Sequence, residues 1–188
     1  MDLSQEVFNA YEIIKNGGII LYPTDTVWGI GCDATNENAI NKIFQLKKRA
    51  ATQSMICLVN GEKMMYNIFK DIPEVAWQII DLSEKPTTLI LDKPRNVAPN
   101  LMAQDQTLAI RMVKEPFCFK LLERMKVPLV STSANITGQP TPQNFHEISK
   151  EIINGVDYVV DFNRDKKTTK PSTIIKISLD AQVKIIRK

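Results

Sequence analysis

The stretch that most limits how this chain can fold is "PTDTVWGIG", residues 23–31, directly after the apolar run "GGIILY". Ile19, Ile20, Leu21 and Tyr22 read as a short buried strand. Pro23 ends it, because proline cannot donate to a sheet ladder. Two threonines, an aspartate and an indole then crowd the end of that strand, between the proline and two glycines. A tight turn accounts for Pro23, Gly29 and Gly31 as the close of a core strand. The polar side chains equally suit a pocket, and the rest of the chain has to separate the two readings.

Further along, apolar periodicity predicts alternating helices and strands. Val7, Phe8, Tyr11 and Ile14 follow helical spacing, with Gly17-Gly18 as the stop. "NENAINKIFQLKK" reads as a second helix capped by Asn36. Strands are expected at "SMICLV", "TTLIL", "TLAIRM", "VPLVST", "VDYVVDF", "STIIKI" and "VKIIR". Helices are expected around 73–82, over "FCFKLLERM", and from a Thr141 cap with Pro142 at the first helical position. The strand-rich end breaks the alternation. An open, twisted α/β sheet of mixed parallel and antiparallel strands with flanking helices is therefore the expected class. With 188 residues, one domain over 1–188 is expected.

Composition narrows the chemistry. Cys32, Cys57 and Cys118 are far apart and form no CxxC pair, which disfavours a disulfide framework or a zinc site. No leader-like segment or membrane-length apolar run is seen, so a cytoplasmic protein is expected. His146 is the single histidine and sits in a polar stretch expected to be an exposed helix, so imidazole catalysis is disfavoured. Basic residues are grouped at Lys47, Lys48 and Arg49, at Arg164 to Lys170, and at Lys184 to Lys188. Such groups are usually solvated faces, yet they also suit polyphosphate or an RNA backbone. No P-loop, no GxGxxG after a strand and no kinase set occurs.

Four polar stretches remain at strand ends: "PTDTVWGIG", "KKRAATQS", "STSAN" and "KPSTI". Each alone fits local turn chemistry. Together on one sheet edge, they would make a hydrogen-bonding surface for small polar ligands. In "TLAIRMV", alternation puts Thr107, Ala109 and Arg111 on one face. Arg111 could be an edge charge, a structural ion pair or a fork for a carboxylate, and the pattern leaves all three open.

The ordered set "GGIILYPTDTVWGIGCDA", "IFQLKKRAATQSMICLV", "TLAIRMV", "PLVSTSANITGQPTP", "PSTII" and "IIR" resembles the YrdC/TsaC family of L-threonylcarbamoyladenylate synthases, from about Gly17 to Arg187. The resemblance implies an enzyme that condenses L-threonine, bicarbonate and ATP to threonylcarbamoyl-AMP and pyrophosphate. The product serves modification of the adenosine beside the anticodon of ANN-reading tRNAs, through a downstream tRNA threonylcarbamoyl transferase complex. The family's fold is an open twisted sheet with a basic groove, and tRNA or double-stranded RNA is an implied partner.

Carried over by motif, Thr26, Arg111, Ser133 and Ser172 are the implied threonine contacts. Lys47, Arg49, Gln53, Thr107, Ser131, Ser133, Thr141 and Arg187 are the implied ATP contacts. Lys47, Arg49, Ser133 and Asn135 form the implied catalytic set, with Lys47 near the phosphates. ATP is a substrate, with Mg²⁺ brought in on it, and no protein metal site is implied. Thr26 would belong to a threonine pocket walled by Trp28, while Asp25 would make a local turn or cap hydrogen bond.

The chain departs from the family pattern at Trp28 (commonly tyrosine), Ala50 (proline), Gln53 (Asn or Lys) and Leu58 (a histidine in some members), and in "EKPTT" at 84–88. The extra C-terminal domain of longer members is expected to be absent. A non-catalytic RNA-binding paralogue is the alternative reading. The related carbamoyl-transfer domain of hydrogenase maturation proteins is disfavoured, because no acylphosphatase or zinc-finger part accompanies it.

Overall fold

The structure is a computed structural model that describes residues 2–48, 55–165 and 171–188. Arg49, Ala50 and Gln53 lie outside the described residues. The first helix, α1 (Leu3–Lys15), buries Val7, Ala10 and Ile14. It closes in a Schellman motif: Gly17 takes φ +76°, Gly17 N–H reaches Ile14 O, and Gly18 N–H reaches Ile13 O at 2.9 Å. Strand β1 (Ile20–Tyr22) follows, wholly buried, and then β2 (Gly29–Gly31). Gly29 to Gly31 thus form a strand of their own rather than only ending the preceding one. Gly31 needs to be glycine: a Cβ there would lie 2.2 Å from Val130 O and 2.7 Å from the Tyr22 ring.

Helix α2 (Glu37–Leu46) is capped by the Asn36 side chain, which accepts from Ala39 N–H at 3.0 Å. Next come β3 (Ile56–Val59), α3 (Glu62–Ile68), α4 (Glu74–Leu82), β4 (Thr87–Asp92) and β5 (Thr107–Met112). Helix α5 (Pro116–Met125) has proline at its start and Glu115 accepting from Cys118 N–H at 2.8 Å. The chain finishes with β6 (Leu129–Ser133), α6 (Lys150–Gly155), β7 (Tyr158–Val159), β8 (Thr173–Ile177) and β9 (Val183–Arg187).

Among the described residues, nine strands form one sheet in the order β7-β1-β2-β6-β3-β5-β4-β8-β9. Three parallel pairs (β1/β7, β3/β5, β4/β8) are interspersed among antiparallel ones, so the expected mixed sheet is what forms. Helices α1 and α5 pack on each other beside it. Among the described residues, no helix is long and apolar enough to cross a membrane.

Three local expectations change. Helix α3 was not anticipated: its buried Met64, Met65 and Ile68 span too few turns to show a period. No helix starts at Thr141. Glu147 accepts from Gln143 N–H at 2.8 Å and from Asn144 Nδ2 at 2.7 Å, which closes a loop around a 3₁₀ turn (Phe145–Glu147). The helix begins after Ser149, whose hydroxyl accepts from Ile152 N–H. His146 is exposed as expected, but on that 3₁₀ turn. In "VDYVVDF" only Tyr158 and Val159 enter the sheet.

Candidate active site

Inward from the end of β1, the PTDT segment folds around Thr24. The Thr24 hydroxyl donates to Val27 O at 2.7 Å and accepts from Thr26 N–H at 3.0 Å, an ST-turn that fixes the loop. Its oxygen is also 3.1 Å from the Thr26 hydroxyl, so Thr26 is held by its own loop. Gly29 completes this wall: a Cβ would come within 3.2 Å of Ser131 Oγ.

Beside this loop lies a cavity of about 210 Å³. Thr24, Thr26 and Gly29 line one side, and Ser131, Thr132 and Ser133 of β6 line another. Arg111 enters from β5, Ser172 from the segment before β8, and Arg187 from the end of β9. Thr141 lies on the loop that replaced the expected helix, and it too lines the cavity. Seven residues singled out in the sequence, Thr26, Arg111, Ser131, Ser133, Thr141, Ser172 and Arg187, therefore meet at one place.

Arg111 dominates the electrostatics. Its side chain is only 4% exposed, and its Nη2 pairs with Asp25 Oδ1 at 2.8 Å. Its Nε is buried and has no hydrogen-bond partner among the described residues. Asp25 thus makes a long-range ion pair, a role beyond the local turn or cap hydrogen bond expected of it. Beneath the loop, burial pushes the Tyr22 phenol well above its usual range, and burial with Glu115 nearby does the same to the Cys118 thiol. Neither group is set up to ionise in ordinary conditions.

The far wall is braced by hydroxyls and a second arginine. Ser172 Oγ and Thr88 Oγ1 share a buried hydrogen bond of 2.8 Å. The Arg187 guanidinium donates to Ser172 O at 3.1 Å from Nε and 2.8 Å from Nη2. Thr88 belongs to "EKPTT", so the stretch that departs from the family pattern still supplies a support for the cavity.

Lys47 reaches the SAN turn from the end of α2. It is 1% exposed and does not line the cavity. Its Nζ donates to Ser133 O and, at 2.6 Å, to Asn135 O, while Thr137 N–H donates to the Lys47 carbonyl at 3.0 Å. One residue clasps the whole SAN turn. The Asn135 amide is used within the same turn, donating to Ile136 O and Gln139 O. Thr107 shares a face with Arg111 but starts β5, roughly 13 Å away along the strand. Its hydroxyl donates to Asp105 at 2.7 Å, and it does not line the cavity.

Trp28 does not line the cavity either. It is buried against Phe145, with ring centroids 5.0 Å apart, so it supports the loop from behind. Thr24, Thr88 and Asp25 were missed as site residues. The ST-turn pattern within "PTDT" could have flagged Thr24; no local signal marks the other two.

A mixed open sheet with a hydroxyl-lined cavity at its strand ends and a buried arginine in the wall is an arrangement suited to a small polar ligand. The same architecture occurs in Pyrococcus abyssi Sua5 complexed with L-threonine, with a TM-score of 0.82 and 27% identity. That match covers 94% of this chain and 52% of the Sua5 chain, so the present chain spans about half of it. The E. coli protein YciO shares the fold, with a TM-score of 0.85 at 22% identity over 100% of this chain and 90% of that one. In sequence, a Methanocaldococcus jannaschii protein provisionally named a threonylcarbamoyl-AMP synthase is 38% identical over 173 residues, 92% of this chain and 80% of the relative. The Haemophilus ducreyi threonylcarbamoyl-AMP synthase is 32% identical over 143 residues, 74% of this chain and 78% of the relative. The Sua5/YciO/YrdC family model, described as "Telomere recombination", matches residues 12–188. The chain belongs to the Sua5/YciO/YrdC family.

Proposed function

We propose that this chain is an L-threonylcarbamoyladenylate synthase. The observation that carries the reading is the near-complete burial of Arg111 in the wall of a cavity otherwise lined by hydroxyls. A guanidinium in that setting suits a carboxylate, which it can bind bidentately at low dielectric. Threonine brings such a carboxylate together with a hydroxyl and an amine.

The reaction balances without an imidazole. The threonine amine adds to bicarbonate and water leaves, giving a carbamate. A carbamate oxygen then attacks the α-phosphorus of ATP, the bond to the β-phosphate bridging oxygen breaks, and pyrophosphate departs. Such chemistry depends on placing anions and neutralising their charge. In this reading Arg111, Thr26 and Ser172 hold threonine, and Ser133 stands between threonine and nucleotide. Ser131, Thr141 and Arg187 face ATP, joined by Arg49 and Gln53, with Mg²⁺ arriving on the nucleotide. Lys47 and Asn135 keep the SAN turn in shape. We read residues 1–188 as one domain and the setting as cytoplasmic. The product would pass to a tRNA threonylcarbamoyl transferase, with tRNA or double-stranded RNA as a further contact.

The test is pyrophosphate release from ATP by the purified chain with bicarbonate, with and without L-threonine. Threonine-dependent release is expected. A folded protein that binds RNA yet gives no release above the threonine-free rate would overturn the reading in favour of a binding module.

A further inference from the structure

Asp25 is separated from Arg111 by 86 positions in sequence and by 2.8 Å in space. The two sit on opposite sides of a partition. Arg111 lines the hydroxyl-rich cavity, while Asp25 lines a second cavity of about 220 Å³ with Lys85, Lys114 and Glu115. Asp25 is 20% exposed, against 4% for Arg111.

An arginine on a central strand has a fixed Cα but four soft side-chain torsions. Here β5 is paired on both sides, with β3 and β4, so the backbone at position 111 is rigid. The direction of the fork must come from a side-chain contact. Nε makes no hydrogen bond among the described residues, and Asp25 holds one terminal nitrogen by a charge-assisted bond. The pair also offsets a buried cationic charge, which would be costly in isolation.

We propose that Asp25 is a positioning residue for the carboxylate-binding arginine. It touches no substrate; it holds the Arg111 guanidinium in the plane that presents its remaining N–H groups to the cavity. The proposal rests on the reading of Arg111 as the threonine carboxylate fork.

The test uses Asp25→Asn, Asp25→Glu and Arg111→Lys, with KM for threonine, KM for ATP, kcat and the melting temperature measured for each. Asp25→Asn is expected to raise the threonine KM by about 10- to 100-fold, the worth of one charge-assisted bond. ATP KM should stay near wild type, the melting temperature should fall because the buried Arg111 loses its counter-charge, and Asp25→Glu should recover much of both losses. If Arg111→Lys raises the threonine KM while Asp25→Asn leaves it unchanged, the positioning role is wrong and the fork survives. If Arg111→Lys leaves the threonine KM unchanged, the fork itself is wrong, and the proposal falls with it. A uniform loss in both KM values, kcat and melting temperature for Asp25→Asn would mark a merely structural pair and also overturn the proposal.

Discussion

The ammonium of Lys47 donates to the main-chain carbonyl of Asn135 at 2.6 Å, and the same nitrogen reaches the carbonyl of Ser133. A compact, three-donor head on a flexible stem suits this job, and a planar guanidinium does not. Lys47→Met should leave two carbonyls without that donor and lower stability by about 1–3 kcal/mol. ATP KM should rise more than threonine KM, because the turn carrying Ser133 loosens. Lys47→Arg should fail to restore either. Urea unfolding together with substrate titrations checks each part.

Thr88→Val removes one hydroxyl at nearly constant volume and leaves Ser172 without its 2.8 Å partner. A stability loss of about 1 kcal/mol is expected. The threonine KM should rise by about 3- to 10-fold with ATP KM little changed, the size expected when one neutral hydrogen bond is lost. Steady-state kinetics with each substrate varied in turn reads this out.

Gly31→Ala would push a Cβ to 2.2 Å from Val130 O, a backbone atom that cannot swing aside. Overpacking of this kind costs about 1–3 kcal/mol, and more where backbone must move. Gly61→Ala is the control: nothing lies within 4 Å of its added Cβ. It should fall within about 0.5 kcal/mol of wild type. Denaturant midpoints compare the two.

Much of the site was legible because turn chemistry and strand ends are local facts. Pro23 after an apolar run, hydroxyls in "STSAN" and "KPSTI", and an arginine on alternating strand positions each announced themselves within a few residues. What stayed hidden depends on distance in the fold. The Asp25–Arg111 pair spans 86 positions, and the Thr88–Ser172 bond spans 84. Trp28, expected as a pocket wall in the place of the family's tyrosine, is instead buried against Phe145, a contact 117 positions away. The mixed sheet was readable from broken alternation. The loop at Thr141, expected to be a helix start, was not, because Glu147 turns that segment back on itself.

The three cysteines offer a pH test. Cys32, Cys57 and Cys118 are all buried, and burial is the leading cause that raises each thiol above its usual range. A raised folded-state pKa keeps the neutral thiol through mildly alkaline pH, so reactivity needs opening of the fold. Native protein should react with a disulfide reagent far more slowly than protein in denaturant. The native rate should change little between about pH 7 and pH 8.5, below the range to which burial moves these groups. A native rate that climbs about tenfold per pH unit would mean that an accessible, ordinary thiol is present.

The most direct measurement follows labelled carbon. The protein is incubated with ATP, L-threonine and isotopically labelled bicarbonate, and the products are separated and weighed by mass spectrometry. The label should appear in a single species that contains both threonine and AMP, in step with pyrophosphate, and should vanish in Arg111→Ala. Label confined to bicarbonate, with ATP intact and the protein folded, would contradict the account.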